Sequence, residues 1–206
     1  MGDMGTFLRN GGLLDILGKT EGRRMSTVAA IIPARYGASR LPGKPLLRET
    51  GKTLVQHVYE AVRDCPAVDR ILVATDDPRI EEAVRSFGGE AVMTSPDHPN
   101  GTCRIAEVAA GIDAGIVLNV QGDEPEVRSC DLEILIGETR RGEMATLAAR
   151  FGNPADADLP ERVKVVLDEE GRATTFSRSR IPGGENLLHI GLYGFQRSFL
   201  LRFAKM

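Results

Sequence analysis

The stretch Val28-Ala29-Ala30-Ile31-Ile32-Pro33-Ala34-Arg35-Tyr36-Gly37-Ala38-Ser39-Arg40-Leu41-Pro42-Gly43-Lys44-Pro45-Leu46 decides the reading of the chain. It opens as an apolar run, Val28 to Ile32, of strand length and too short for a helix. Pro33 has no N–H for a sheet ladder and is expected to close that strand. A long loop then follows with three cations, Arg35, Arg40 and Lys44. Its small residues Gly37, Ala38 and Ser39 let the backbone approach a ligand closely and turn N–H groups toward an anion. Arginine offers a planar fork of donors and lysine a mobile point charge, a combination suited to a run of phosphates. Two prolines bracket Gly43-Lys44 and stiffen the frame around that lysine. The loop matches neither GxxxxGK[ST] nor GxGxxG, so neither of those nucleotide folds is implied. A buried strand running straight into such a loop places it at the carboxyl edge of a sheet, where open α/β folds bind ligands.

Outward from this stretch the pattern repeats. Thr53 caps a helix carrying Leu54, Val55, Val58 and Val62 on one face. Arg70 to Thr75 is a second buried strand, and Asp77-Pro78 opens a helix with Ile80, Ala83, Val84 and Phe87 at i, i+3, i+4, i+7. Ala91-Val92-Met93 is a third strand. A helical spacing of Ile105, Val108, Ala109 and Ile112 leads into a fourth, Ile116 to Val120. Strands alternating with helices predict an α/β fold, a doubly wound, mostly parallel sheet covered on both faces.

Directly after the fourth strand comes Val120-Gln121-Gly122-Asp123-Glu124-Pro125. An acidic pair at a sheet edge suits Mg²⁺, which takes one or two carboxylates together with substrate phosphates. The same residues also suit the cap of a following helix.

From Met144 on, the chain reads as a smaller β-rich part. A strand, Met144 to Ala149, precedes a hairpin in which Val163 to Leu167 and Ala173 to Phe176 flank Asp168-Glu169-Glu170-Gly171. Arg178 and Arg180 are placed either to clamp a carboxylate or to solvate a strand end. His189 and Tyr193, four apart, share a face of one strand. That face either lines a ligand site or holds a structural histidine. A helix is expected to start near Ser198.

The totals narrow the class. A chain of 206 residues holds one α/β domain with room for a small subdomain. With 26 Lys+Arg against 29 Asp+Glu, the net charge of −3 gives no reason to expect nucleic acid or an anionic membrane as partner. Three widely spaced cysteines form no zinc or disulfide pattern and suit a reducing cytoplasm. No apolar run reaches membrane-spanning length. Residues 1–24, rich in glycine, read as a disordered extension or as an upstream start that is not used, ahead of a domain from residue 25 to 206.

The phosphate-loop run, with Arg-Tyr followed by Arg-Leu-Pro-Gly-Lys-Pro, resembles the signature of sugar-activating cytidylyltransferases. The form is that of the family that activates 3-deoxy-manno-octulosonate (Kdo) for lipopolysaccharide. Val-Gln-Gly-Asp-Glu-Pro and the Asn100-Gly101-Thr102-Cys103-Arg104 segment resemble the same family, although an acid is usual where this chain has Cys103. The resemblance implies a nucleotidyltransferase-like fold with a β-rich sugar-binding part, and transfer of CMP from CTP to Kdo with release of pyrophosphate. It implies CTP contacts from Ala34, Arg35, Arg40, Lys44, Gly101, Thr102 and Arg104. Lys44, Arg40 and Asp123 would be the catalytic groups, with Mg²⁺ on Asp123. Gln121, Arg178, His189 and Tyr193 would face the sugar acid. Glu161-Arg162 replace an asparagine usual ahead of the Val-Lys-Val-Val strand. The resemblance further implies a homodimer, a cytoplasmic location and C-terminal helices carrying a second metal carboxylate beyond Met206. On that reading the chain is truncated and has little activity. Phe199, Leu200 and Phe203 would be partly exposed, and Asp76 and Glu124 are the nearby substitute carboxylates.

Overall fold

The computed structural model of the chain describes residues 27–37 and 41–206. The expected extension over residues 1–24 and the loop cation Arg40 lie outside the described residues. In chain order the elements are β1 (Val28–Ala34), α1 (Leu54–Arg63), β2 (Arg70–Thr75), α2 (Pro78–Ser86), β3 (Ala91–Met93), α3 (Gly101–Ala110), β4 (Ile116–Asn119), α4 (Ser129–Arg141), β5 (Met144–Ala149), β6 (Lys164–Leu167), β7 (Ala173–Ser177), β8 (Leu187–Gln196) and α5 (Arg197–Phe203). They form two compact units, one of residues 27–145 with 192–206 and one of residues 146–191.

The larger unit is built on a sheet in which β3, β2, β1 and β4 lie side by side and parallel. The C-terminal half of β8 joins antiparallel beside β4, with Asn119 opposite Tyr193. Ile31, Leu72, Val117 and Phe195 are all buried in this core. Strands covered on both faces read as continuous apolar runs, which is why the sequence marks them clearly. The helices start where their caps place them. The Thr53 hydroxyl accepts from the Gln56 N–H at 3.2 Å, Asp77 from the Arg79 N–H at 3.0 Å, and Asn100 from the Cys103 N–H at 2.9 Å.

Three expectations need correction. The strand β1 does not end before Pro33 but continues to Ala34, with Pro33 opposite Ala74 of β2. The Ile31 carbonyl accepts from the Val120 N–H, so by alternation Pro33 also turns its backbone groups toward β4, where the ladder has already ended at Ile31–Asn119. The missing N–H therefore costs no hydrogen bond. Helix α4 is absent from the sequence reading, yet Leu132, Leu135, Ile136 and Thr139 are buried on its inner face at i, i+3, i+4, i+7. It packs on β8 at Gly194, where a Cβ would come within 2.0 Å of the Thr139 hydroxyl oxygen. Finally, Leu200 of α5 is fully buried, because α5 packs on α3 and β4. Of the apolar residues expected to be exposed there, Phe203 is, at 44%, and Phe199 is partly buried.

The smaller unit contains the expected hairpin. β6 and β7 pair antiparallel, Asp168 accepts the N–H groups of Glu170 and Arg172, and Gly171 takes the left-handed turn position at φ 79°. β6 also pairs with the first residues of β8, Lys164 opposite Leu188. Lys164 is fully buried in this unit. Its ammonium donates to the carbonyls of Leu159, Arg162 and Arg178 at 2.7, 2.8 and 2.6 Å. Three donors meeting three acceptors satisfy the charge completely, which is what a buried lysine requires.

Candidate active site

The carboxyl edge of the parallel strands carries the cationic loop, as the topology demands. Ala34, buried, ends β1 and hands the chain to Arg35, whose guanidinium donates to the His98 carbonyl at 2.8 Å. The loop closes on itself where the Gly43 N–H donates to the Tyr36 carbonyl at 2.8 Å. Gly43 has φ 72°, a conformation that favours glycine, and a Cβ there would press on the Tyr36 ring at 3.2 Å. A 3-10 turn, Lys44–Leu46, follows, with Pro45 buried beneath it. This frame presents Lys44, whose Nζ lies 2.6 Å from Asp123 Oδ2, with the two side chains 39% and 50% exposed.

Asp123 reaches Lys44 because the turn after β4 sits directly against β1. A Cβ on Gly122 would lie 3.0 Å from the Pro33 carbonyl oxygen, so only glycine allows this approach without movement. The helix-cap alternative for Asp123 and Glu124 fails, since α4 starts at Ser129, where the Arg128 backbone N–H donates to the Asp131 carboxylate. Burial, followed by the neighbouring charge of Asp123, raises the Glu124 carboxyl above its ordinary pKa. Gln121 turns its amide to the Asn119 side chain at 3.2 Å.

Two adjacent carboxylates, Asp123 and Glu124, at the edge that carries the cationic loop form a hard-oxygen donor set that fits Mg²⁺. Among the described residues no three or more His, Cys, Asp or Glu side chains gather into a metal cluster. A cation here would therefore draw its remaining ligands from substrate phosphates, the ordinary habit of Mg²⁺.

The segment at the start of α3, expected to contact CTP, forms the first turn of that helix. Gly101 and Thr102 are half-buried at the helix start, and Gly101 packs on the Pro33 ring. Arg104 is completely buried, with its guanidinium donating to Asp76 at 2.6 Å and to the Thr94 hydroxyl. It is thus engaged in holding the end of β2, and its bond to Asp76 also occupies one of the substitute carboxylates. Sequence patterns gave no sign of this burial, because Arg104 stands among apolar positions as an ordinary helix polar residue. Cys103 is half-buried and offers its N–H to the Asn100 cap. The cysteines Cys65, Cys103 and Cys130 are all free.

In the smaller unit the two arginines separate. Arg180 is taken by Asp158, at 2.8 and 3.3 Å, and holds that carboxyl below its usual pKa. Arg178 is exposed, and among the described residues its guanidinium makes only a long contact, 3.4 Å, with the Pro160 carbonyl. Arg178 is therefore the arginine available to a carboxylate. His189 Nε2 lies 3.0 Å from the Thr146 hydroxyl, which also reaches the Ile190 carbonyl, and Phe176 meets the imidazole edge-on at 5.1 Å. Burial lowers the His189 pKa, so its ring is held toward the neutral form. Tyr193 falls in the larger unit, stacked on Phe195 at 6.2 Å, and burial raises its phenol pKa.

The family model described as cytidylyltransferase matches residues 29–206. The chain belongs to the cytidylyltransferase family. Within it, the chain stands among the octulosonate cytidylyltransferases. It is 44% identical to the 3-deoxy-manno-octulosonate cytidylyltransferase of Escherichia coli, over 88% of this chain and 77% of that protein. It is also 44% identical to the 8-amino-3,8-dideoxy-manno-octulosonate cytidylyltransferase of Shewanella frigidimarina, over 87% and 78%. The solved structure of a CMP:2-keto-3-deoxy-manno-octonic acid synthetase complexed with CTP matches with a TM-score of 0.82 at 44% identity, covering 87% of this chain and 78% of that one. The α/β fold expected from the strand pattern is the fold of this cytidylyltransferase. Among the described residues no helix is long and apolar enough to cross a membrane.

Proposed function

We propose that this cytidylyltransferase transfers CMP from CTP to Kdo, releasing pyrophosphate, in the cytoplasmic synthesis of lipopolysaccharide. The observation that carries the reading is the meeting of Lys44 and Asp123 at the edge of a parallel sheet, in a chain 44% identical to a synthetase whose structure is complexed with CTP. The anomeric hydroxyl of the sugar acid attacks the α-phosphorus in line. The bond from that phosphorus to the bridging oxygen breaks, and pyrophosphate carries the electron pair away. There is little covalent work for the protein in such a reaction, so catalysis rests on positioning and on charge. Lys44 holds the triphosphate as a point charge, and Arg35 and the loop N–H groups orient it. Asp123 and Glu124 would hold Mg²⁺, which when bound neutralises charge on the phosphates. Gln121, Arg178, His189 and Tyr193 are assigned to the sugar acid, with Arg178 pairing its carboxylate.

A second acceptor is favoured by a specific observation, the equal identity to relatives named for the 8-amino sugar. The test is pyrophosphate release with CTP and Mg²⁺ against Kdo, 8-amino-3,8-dideoxy-manno-octulosonate and a nonulosonate. Release with Kdo supports the first reading. Release only with the 8-amino sugar replaces it with the second, and release with none overturns both.

A further inference from the structure

The phosphate loop is braced from outside itself by a residue that takes no part in the chemistry above. Arg79, in the first turn of α2, lies with its guanidinium carbon 3.4 Å from the centroid of the Tyr36 ring. The guanidinium is fixed in that position by Asp77, through bonds of 2.8 and 2.6 Å to the two carboxylate oxygens. Asp77 is fixed in turn as the cap of α2. The Tyr36 ring also meets Gly43, and the Tyr36 carbonyl receives the Gly43 N–H. Gly43 directly precedes Lys44. A chain of contacts therefore runs from α2 through Asp77, Arg79, Tyr36 and Gly43 to the lysine that faces Asp123.

We propose that Arg79 is a positioning residue for the triphosphate loop, acting through the ring of Tyr36. The physical reason is entropic. Without a fixed Tyr36 ring, Gly43 and with it Lys44 would have more arrangements to lose when ligand binds. A planar cation resting on an aromatic face, itself locked bidentately, selects one ring position and with it one position for Gly43. The inference rests on the reading that Lys44 holds the CTP triphosphate.

The experiment is a double-mutant cycle read by CTP dissociation constant and steady-state kinetics. Arg79→Ala is expected to raise the CTP dissociation constant and KM by about three- to fivefold, the scale of an exposed cation–π contact. Its kcat should stay within about twofold, because positioning of this kind acts on ground and transition states alike. Tyr36→Phe keeps the ring and should behave as wild type. Tyr36→Leu should weaken CTP at least as much as Arg79→Ala. In the Tyr36→Leu background, Arg79→Ala should add nothing. Arg79 acting as a bare charge on the triphosphate would instead give the same loss in both backgrounds, and that result overturns the proposal. So does unchanged CTP affinity in Arg79→Ala while Lys44→Ala weakens CTP. If Lys44→Ala also leaves CTP affinity unchanged, the triphosphate-site reading itself falls.

Discussion

Lys44 and Asp123, 79 residues apart in the chain, meet through a hydrogen-bonded ion pair of 2.6 Å at the carboxyl edge of β1 and β4. Both side chains are substantially exposed, so the pair adds at most about 1 kcal/mol to stability. Its significance lies in what each partner does when ligand arrives. On the proposed function, the triphosphate would compete for Lys44 and a cation for Asp123.

Asp123→Asn keeps the shape of the side chain and removes the charge. CTP binding measured without Mg²⁺ should be nearly unchanged, while the Mg²⁺-dependent part of the transferase rate is lost. A Mg²⁺ titration of activity identical to wild type would show that Asp123 holds no cation.

Gly122→Ala tests the close approach of the two loops. The new Cβ would stand 3.0 Å from the Pro33 carbonyl oxygen and push the Gln121–Asp123 turn off the end of β1. The expected result is a fall in kcat of about ten- to a hundredfold, the cost of a small misplacement of catalytic groups, with circular dichroism unchanged. Wild-type kcat would mean that the turn position does not matter to the chemistry.

Lys164→Met leaves the carbonyls of Leu159, Arg162 and Arg178 without their shared donor. Leaving buried acceptors unpaired should destabilise the protein by about 3 kcal/mol. For a chain of this size the thermal midpoint should drop by roughly 6–12 °C. A shift under about 2 °C would show that water or backbone movement replaces the ammonium.

His189 gives a pH dependence with a definite sign. Burial depresses its folded pKa below the ordinary value of 6.5, so the unfolded chain takes up the proton more readily. Stability from this group is complete above about pH 6.5 and is lost as the pH falls from there toward the lower folded value. His189→Gln should therefore lose less of its thermal midpoint than wild type between about pH 7 and pH 5.5. Parallel loss in the two proteins would contradict the burial argument.

The parts of this molecule that were legible in the sequence are those in which one residue type answers one local need. Buried strands such as Val28–Ile32 and Arg70–Thr75 read as apolar runs, and Thr53 and Asp77 announce helix starts. Both halves of the site were placed at one sheet edge by topology alone, although their direct contact is a tertiary fact. Arg104 and Lys164 were illegible because a buried cation looks, in sequence, like an exposed one. Only the partners Asp76 and Thr94, or the three carbonyls around Lys164, distinguish the two cases. The antiparallel place of β8 beside β4 was also hidden, since it depends on a long connection and not on a local pattern. Helix α4 did carry its signal at Leu132, Leu135 and Ile136, but its fourth position is Thr139, which packs against Gly194.

The most direct test of the account is kcat/KM for CTP in Kdo-dependent pyrophosphate release, compared between wild type and Lys44→Ala. Removing a charged phosphate contact that tightens in the transition state should lower kcat/KM by about a hundredfold or more, through both KM and kcat. The thermal midpoint should be almost unchanged, as expected for an exposed ion pair. A Lys44→Ala protein that turns over at the wild-type rate with wild-type CTP affinity would contradict the placement of the reaction at this edge.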